Sequence, residues 1–450
     1  MPGIYVSFDD TDSLDGMCTT YLATLLIEDL SEFDVIGFPR LVRLNPNVPW
    51  KTRGNAAICL AFGEGQGKRF LVGGIGDEKI FAYSRGRPCD AVLLFERAHK
   101  IIERNAHFAC DNTNPGLVVS RNRPPFSLYL RTVREIVDLE SVLEILSKEG
   151  ALVGKFKNGR GVIGAAAAMA WRPRDRTFEV LAYRDPSLIG TKRRIDLESV
   201  RKMDERFKST FHNIDKTTGH LAIAPGSPCP ILFGIRGDDP WDLIRAKDMI
   251  ISEPISRWLL FLTNQATDEH IAKRKASEVL PMQGIRITGK VLSAPREIIG
   301  GHVFFDITDG SGTITCAVYE PSGDMRSAAR QLKAGDEVEI FGSVREEPFQ
   351  INVEKMRVVG LSPIGEKIEN PVCPKCGKHM KSVGAQAGYR CRKCGTRAPA
   401  GSEKRAERTA PRPGWYEPPI ASRRHLYKPI SRIGKKRIAL REILNTYPFD

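Results

Sequence analysis

No stretch of this 450-residue chain is long and apolar enough to span a bilayer; runs such as IGAAAAMAW are core-sized. The opening MPGIYVSFDD lacks the basic region and apolar run of a signal peptide. A cytoplasmic protein is expected. Neither a zincin motif nor a Ser/His/Asp ordering is present, so metalloprotease and triad-hydrolase chemistry find no support. Residues 1–370 carry no net charge, with 49 Lys+Arg against 49 Asp+Glu. The whole excess of +14 lies in residues 371–450, which hold 19 basic and 5 acidic residues. An excess this localised marks a polyanion partner, nucleic acid being the leading candidate. Disulfides are not expected either. Cys18, Cys59, Cys89, Cys110, Cys229 and Cys316 are scattered, as ordinary thiols are in a reducing compartment.

The other four cysteines are grouped. Cys373, Cys376, Cys391 and Cys394 form two CxxC pairs separated by 14 residues. Four thiolates at this spacing make a closed tetrahedral zinc site, structural rather than catalytic. The ribbon spans 370–398. Before it, residues 281–361 read as five strands (IRITGKVLSA, HVFFDITD, TITCAVYE, DEVEIFGSVRE, FQINVEKMRVV) with a short helix, MRSAARQL, between the third and fourth. That order matches an OB-fold barrel. After the ribbon, the tail 399–450 interleaves Trp415, Tyr416, His425 and Tyr427 with Arg and Lys, a pattern suited to stacking on bases and neutralising phosphates.

Residues 1–277 mix helix and strand periods and read as one catalytic region of α+β type. Helices are expected at 17–30, 88–104, 138–149, 196–210 and 240–251. Strands are expected at 3–9, 56–62, 126–133, 177–183 and 230–235. The chemistry concentrates at the first strand–helix junction. Ile4, Val6 and Phe8 alternate with Tyr5 and Ser7, and then Asp9, Asp10 and Asp12 arrive at the strand end. Three carboxylates there are hard oxygen ligands for Mg²⁺. Thr19 and Thr20 open the following helix, whose N–H groups and dipole attract an anion. Metal and helix end together point to a nucleoside triphosphate; an Asp-rich turn capped by Thr19 is the open alternative.

The loop NPNVPWKTRGNAA adds Lys51, Arg53, Gly54 and Asn55, which are two cations, a glycine permitting close approach and an amide. In KNGRGVIG, Gly159 and Gly161 flank Arg160. The spacing is formally GxGxxG, but no convincing acidic ribose partner follows. Backbone approach to phosphate, clamped by Arg160, and tight helix packing at Gly164 are equally good readings.

Taken in order, DDTDSLDGMCTTYLA, NPNVPWKTRGNAA, NGRGVIGAAAA, CPILFGIRG, TNQATDEH, GGHVFFDITD, the paired CxxC ribbon and GWYEPP…SRRHL closely resemble the archaeal 2-agmatinylcytidine synthetases (TiaS). The resemblance runs from residue 9 to about residue 430. It implies a kinase-like domain, a ferredoxin-like domain, an OB fold and a zinc ribbon. It implies ATP-driven attachment of agmatine to C2 of the wobble cytidine of the CAU-anticodon isoleucine tRNA, so that AUA is read as isoleucine. It implies Mg²⁺ and ATP at the aspartates, autophosphorylation at Thr19, and a phosphoryl group that activates the cytosine C2 oxygen. The ribbon and tail would hold the tRNA remote from the chemistry. Ser7 and Phe8 stand where the family pattern favours a glycine and an aliphatic residue. The agmatine pocket has no residue-by-residue match, and Asp238 or Asp239 are the carboxylates offered for its guanidinium. The rival reading is a non-catalytic nucleic-acid-binding protein built on the barrel and ribbon, which has no use for an Asp triad facing KTRGN.

Overall fold

The computed structural model describes residues 3–448 except 15, 216–217, 363–366, 385, 406–409 and 436. Residues 4–263 build one large sheet. Its strands lie in the order Leu152–Lys155, Gly116–Ser120, Ile4–Asp9, Ala56–Ile75, Arg40–Arg43, Arg257–Thr263, Thr177–Tyr183, Ile231–Gly237, Thr210–Phe211. Neighbours along this path are antiparallel except Arg40–Arg43 with Arg257–Thr263. Antiparallel pairing is what an α+β fold requires, since hairpins replace crossovers.

Strand Ile4–Asp9 is buried along its whole length. Its alternation records which face each side chain takes, because both faces are covered. Helix Gly161–Ala170 packs across it, and Ser7 Oγ donates to the Ala165 carbonyl at 2.6 Å. That helix is alanine-rich and fully buried but for Ile163. Gly161 and Gly164 permit the approach. A Cβ on Gly161 would collide with the Gly116 amide nitrogen, and one on Gly164 would collide with Asp9 Oδ2. Close packing therefore accounts for both glycines.

The expected strand at 126–133 is a helix, Phe126–Arg134. Pro124 and Pro125 precede it, and Leu128, Tyr129, Thr132 and Val133 form its buried face. That spacing is helical, and a short apolar run alone does not separate the two periods. Strands Gly116–Ser120 and Arg257–Thr263 carried no sequence expectation.

Residues 284–360 form the barrel. Strands Gly284–Val291, Glu337–Arg345, Gln350–Gly360, Thr313–Val318 and Val303–Thr308 pair in that order, and the last pairs back to the first. Helix Asp324–Arg330 lies between the third and fourth in chain order. The core is Ile285, Ile287, Phe305, Ile307, Ile340 and their neighbours. In the ribbon, a three-stranded sheet and a core of Cys373, Met380, Tyr389 and Cys391 are all the packing available among the described residues.

The basic tail is docked on the body. Strand Gly414–Tyr416 extends the barrel sheet beside Gln350–Gly360. Tyr427 is 1% exposed, and Lys355 Nζ lies 4.8 Å from its ring centroid. Trp415 packs on Phe341 and Arg357. The aromatics expected to meet bases therefore have aromatic and cationic partners in this chain. Further on, Arg432 is 5% exposed between Asp175 and Asp238, and Trp241 Nε1 donates to the Ile443 carbonyl at 3.0 Å. Asp239 caps the helix Pro240–Met249 by accepting from Trp241 and Asp242 amides. Asp238 and Asp239 thus already have partners, and the guanidinium that Asp238 holds is that of Arg432.

Candidate active site

Asp9, Asp10 and Asp12 leave the strand in three directions. Asp10 takes a left-handed conformation, φ +59°, which a short polar side chain tolerates. The turn aims its carboxylate at Arg160, whose Nη2 donates at 2.9 Å. Arg160 also donates to the Asn112 carbonyl at 3.0 Å. Asp9, 8% exposed, lies under Gly164. Burial and the Asp10 charge push its carboxyl well above the usual carboxylate range. Burial raises Asp10 to about 6, with Arg160 opposing. Asp9, Asp10, Lys51, Asn55, Arg160 and Gly161 line one cavity of about 90 Å³. Lys51 reaches the Pro46 carbonyl, and burial, with Arg424 nearby, lowers its ammonium.

Asp12 turns the other way, into the start of helix Thr19–Asp29. Its Oδ1 accepts from the Thr19 amide at 2.5 Å and from the Thr19 hydroxyl at 2.7 Å. Thr11 Oγ1 donates to the same hydroxyl oxygen at 3.0 Å. Arg53 Nε holds Asp12 Oδ2 at 3.2 Å, and Arg53 also donates to the Met17 carbonyl. Thr19 is thus the first residue of the helix rather than its cap; Asp12 satisfies the helix end from outside.

Asp12, Thr19, Thr20, Arg53 and Gly54 line a second cavity of about 280 Å³. Its other walls include Arg43, Glu179, Arg236 and His425. A third cavity, about 170 Å³, shares Lys51 and Asn55 with the first and Arg43, Gly54 and His425 with the second. The loop carrying KTRGN therefore stands between the chambers. It is held by Asn47 Nδ2 on the Met282 carbonyl at 3.2 Å and by Arg424 on Asn47 at 2.5 Å. Gly159 lines none of the three; at φ +70° it forms the turn before Arg160.

Three buried donors around this loop have no hydrogen-bond partner among the described residues: Arg43 Nε, Thr52 Oγ1 and Arg53 Nη1. Unmet buried donors beside a helix N-terminus fit phosphoryl oxygens. Arg43, Glu179, Arg236 and His425 escaped the sequence reading as wall residues. Arg236 lies inside the flagged segment CPILFGIRG, where the adjacent aspartates drew attention instead. His425 was assigned to RNA, and Arg43 sits in a strand with no motif around it.

The four ribbon cysteines bring one sulfur each to a cluster in which all lie within 4.8 Å of one another. Cys373–Cys394 and Cys376–Cys391 are 3.4 Å apart, and Cys376–Cys394 3.7 Å. Zinc–sulfur bonds of about 2.3 Å place tetrahedral sulfurs about 3.8 Å apart, so the set fits zinc. It is the one such cluster of three or more metal-ligating side chains among the described residues; the Asp9, Asp10 and Asp12 carboxylates do not form another. None of the ten cysteines is in a disulfide. No helix among the described residues is long and apolar enough to cross a membrane.

Four family models match successive parts of the chain between residues 5 and 410. Residues 5–158 match the TiaS TCKD domain and 159–270 the TiaS FLD domain. Residues 285–359 match an OB-fold nucleic-acid-binding domain, and 370–410 the TiaS C-terminal zinc ribbon domain. The isoleucine-tRNA 2-agmatinylcytidine synthetase TiaS of Archaeoglobus fulgidus is 37% identical, over 96% of this chain and 97% of its own. That of Methanosarcina acetivorans is 40% identical, over 95% and 97%. A solved complex of TiaS with its isoleucine tRNA and ATP superposes with TM-score 0.80 at 36% identity, covering 98% of this chain and 99% of that one. A complex of TiaS with the same tRNA, AMPCPP and agmatine gives 0.78 at 32%, with the same coverage. With likeness of this depth along nearly its whole length, the chain belongs to the TiaS family of isoleucine-tRNA 2-agmatinylcytidine synthetases.

Proposed function

We propose that the protein uses ATP to attach agmatine to C2 of the wobble cytidine of the CAU-anticodon isoleucine tRNA, in the cytoplasm where that tRNA works. The observation that carries this reading is the Thr19 hydroxyl. It is held by Asp12 and Thr11 at a helix N-terminus, in a chamber with unmet arginine donors, in a chain that matches tRNA-, ATP- and agmatine-bound relatives end to end. A non-catalytic nucleic-acid binder would leave this chamber without a purpose.

The geometry supports the following roles. Asp12 Oδ1 takes the hydroxyl proton as Thr19 Oγ1 bonds to the terminal phosphorus, and the nucleoside diphosphate leaves with the electron pair. Arg53 pairs with Asp12 and, with Arg43 and the Thr20 amide, meets the phosphoryl charge. Lys51, Asn55, Gly54, Arg160 and Gly161 shape the neighbouring chambers through which substrate phosphates pass. Passed on from Thr19 to the cytosine C2 oxygen, the phosphoryl group makes that oxygen a leaving group: agmatine's amine bonds to C2 and gives up a proton, and inorganic phosphate departs with the C2–O electron pair. Asp9 and Asp10, two buried carboxylates above their usual range, are the oxygens we assign to Mg²⁺; Asp12 already has partners on both oxygens. Asp9 and Asp10 would hold the ion, whose positive charge would offset the negative charge of the substrate phosphates.

The test is incubation of the purified protein with ATP, Mg²⁺, radiolabelled agmatine and an unmodified transcript of the tRNA. Label in the RNA that requires ATP and the wobble cytidine supports the reading. Tight tRNA binding without label overturns it.

A further inference from the structure

Behind the Thr19 chamber runs a chain of polar side chains that ends on the tail. Arg236 Nε donates to Glu179 Oε1 at 2.8 Å, and Glu179 is 1% exposed. Gln265, fully buried, donates from Nε2 to the other oxygen of Glu179. The Gln265 amide thus turns its nitrogen to Glu179 and its oxygen the other way. That oxygen lies 3.1 Å from His425 Nδ1. A carbonyl only accepts, so Nδ1 carries the hydrogen. In a neutral ring the lone pair is then on Nε2.

Surroundings keep the ring neutral. Burial, then the Arg43 and Arg236 charges and His212, hold His425 well below the ordinary histidine range. Nε2 has no hydrogen-bond partner among the described residues, and His425 lines both larger chambers. Gly54 stands in front of it; a Cβ there would lie 2.9 Å from Nε2 and 2.9 Å from Arg43 Nη1. The nitrogen is open to the cavity because residue 54 has no side chain. The unpartnered arginine nitrogens nearby, Arg43 Nε and Arg53 Nη1, are donors. His425 Nε2 is an acceptor with its tautomer locked.

We infer that His425 is a specificity-determining contact, accepting at Nε2 a hydrogen bond from the exocyclic amino group of a nucleobase, either N4 of the wobble cytidine or N6 of the adenine of ATP. The inference rests on the proposed function and adds to it how an amino base is told from its oxo counterpart. Agmatine's cationic groups suit this position poorly, since Arg43, Arg53 and Arg236 outnumber Asp12 and Glu179 on the same walls. A base with a carbonyl at that place sets lone pair against lone pair and leaves Nε2 unpaired. Discrimination on the order of a hundredfold is the expected consequence.

The experiment compares the full-length wild type with His425→Leu and His425→Gln, each shown to be folded by its melting curve. Two ratios are read. One is the affinity for transcripts with C or U at the wobble position. The other is the KM for ATP against inosine triphosphate, which replaces the adenine amino group by oxygen. A fall of tenfold or more in the first ratio with the second unchanged identifies the cytidine; the reverse identifies adenine. Both ratios unchanged in a folded variant overturns the assignment. Gly54→Ala, whose Cβ crowds and covers Nε2, carries the test if neither His425 variant folds. Failure of the functional reading is separately visible, as absence of agmatine incorporation by the wild type while the transcript affinities are still read.

Discussion

Asp12 Oδ1 lies 2.7 Å from the Thr19 hydroxyl and 2.5 Å from the Thr19 amide, so one carboxylate oxygen both orients the hydroxyl and closes the helix end. Substituting either residue separates these jobs. Asp12→Asn keeps an acceptor for the amide and loses the base. Agmatine incorporation is expected to fall by about 10²–10⁴-fold, while stability changes by about 1 kcal/mol or less. Thr19→Val removes the acceptor hydroxyl and should leave no incorporation with tRNA affinity unchanged. A Thr19→Val enzyme of normal rate would remove Thr19 from the mechanism.

Arg432 is a buried cation from the tail, held by Asp238 at 2.8 Å and Asp175 at 3.5 Å, with its Nη2 on the Arg176 carbonyl at 3.1 Å. Truncation strands Asp175, 7% exposed, without part of its compensation. Arg432→Ala is expected to destabilise the protein by about 3–5 kcal/mol, seen as a lowered midpoint in denaturant. An unchanged midpoint would mean the tail is not part of the folded body.

Glu269 is half-buried beneath Tyr129 and Trp171, which donate to its Oε2 at 2.5 and 3.2 Å. Burial raises its carboxyl from 4.5 to about 7, against those two hydrogen bonds. The folded state therefore keeps a proton that the unfolded chain has lost between these values. Stability should fall as pH rises from about 4.5 to about 7 and be level above that. Glu269→Gln removes this slope and should be the more stable protein at pH above 7, by up to about 3 kcal/mol. Melting temperatures of both proteins across the range check it; parallel curves contradict it.

Zinc removal should act on the ribbon alone. Cys373, Met380, Tyr389 and Cys391 are too small a core to hold residues 370–398 without metal. Chelation or Cys391→Ser is expected to unfold the ribbon, weaken tRNA binding and lessen its salt dependence. The main melting transition should stay in place, because the tail docks through Gly414–Tyr416, Tyr427 and Arg432 on the barrel and the large sheet. Deleting 371–450 entire is a different experiment. It removes Tyr427, Arg432 and His425 and strips the catalytic body as well, so the informative cut is the ribbon with residues 411–448 retained.

What the sequence by itself determined is local. The zinc ligands sit within 22 residues, and their spacing is the geometry. The barrel strands announce themselves by alternation, because each packs one face on the core. The Asp cluster, Thr19 and KTRGN were legible because a strand end, a helix start and a glycine loop have residue-level signatures. Tertiary structure alone decided where those pieces point. It sent Asp10 to Arg160 and Asp12 to Thr19, which lie 150 and 7 residues away respectively. It placed Glu179, Arg236, Gln265 and His425 in one hydrogen-bonded line, although they are spread from residue 179 to residue 425. It brought His425, in a tail that reads as an RNA-binding arm, to the wall of the cavity beside Thr19. Contacts of this kind leave no period in the sequence. They are set by which faces remain to be buried once the sheet and barrel have formed, and a buried arginine, histidine or glutamate is tolerated only where a partner from a distant element meets it.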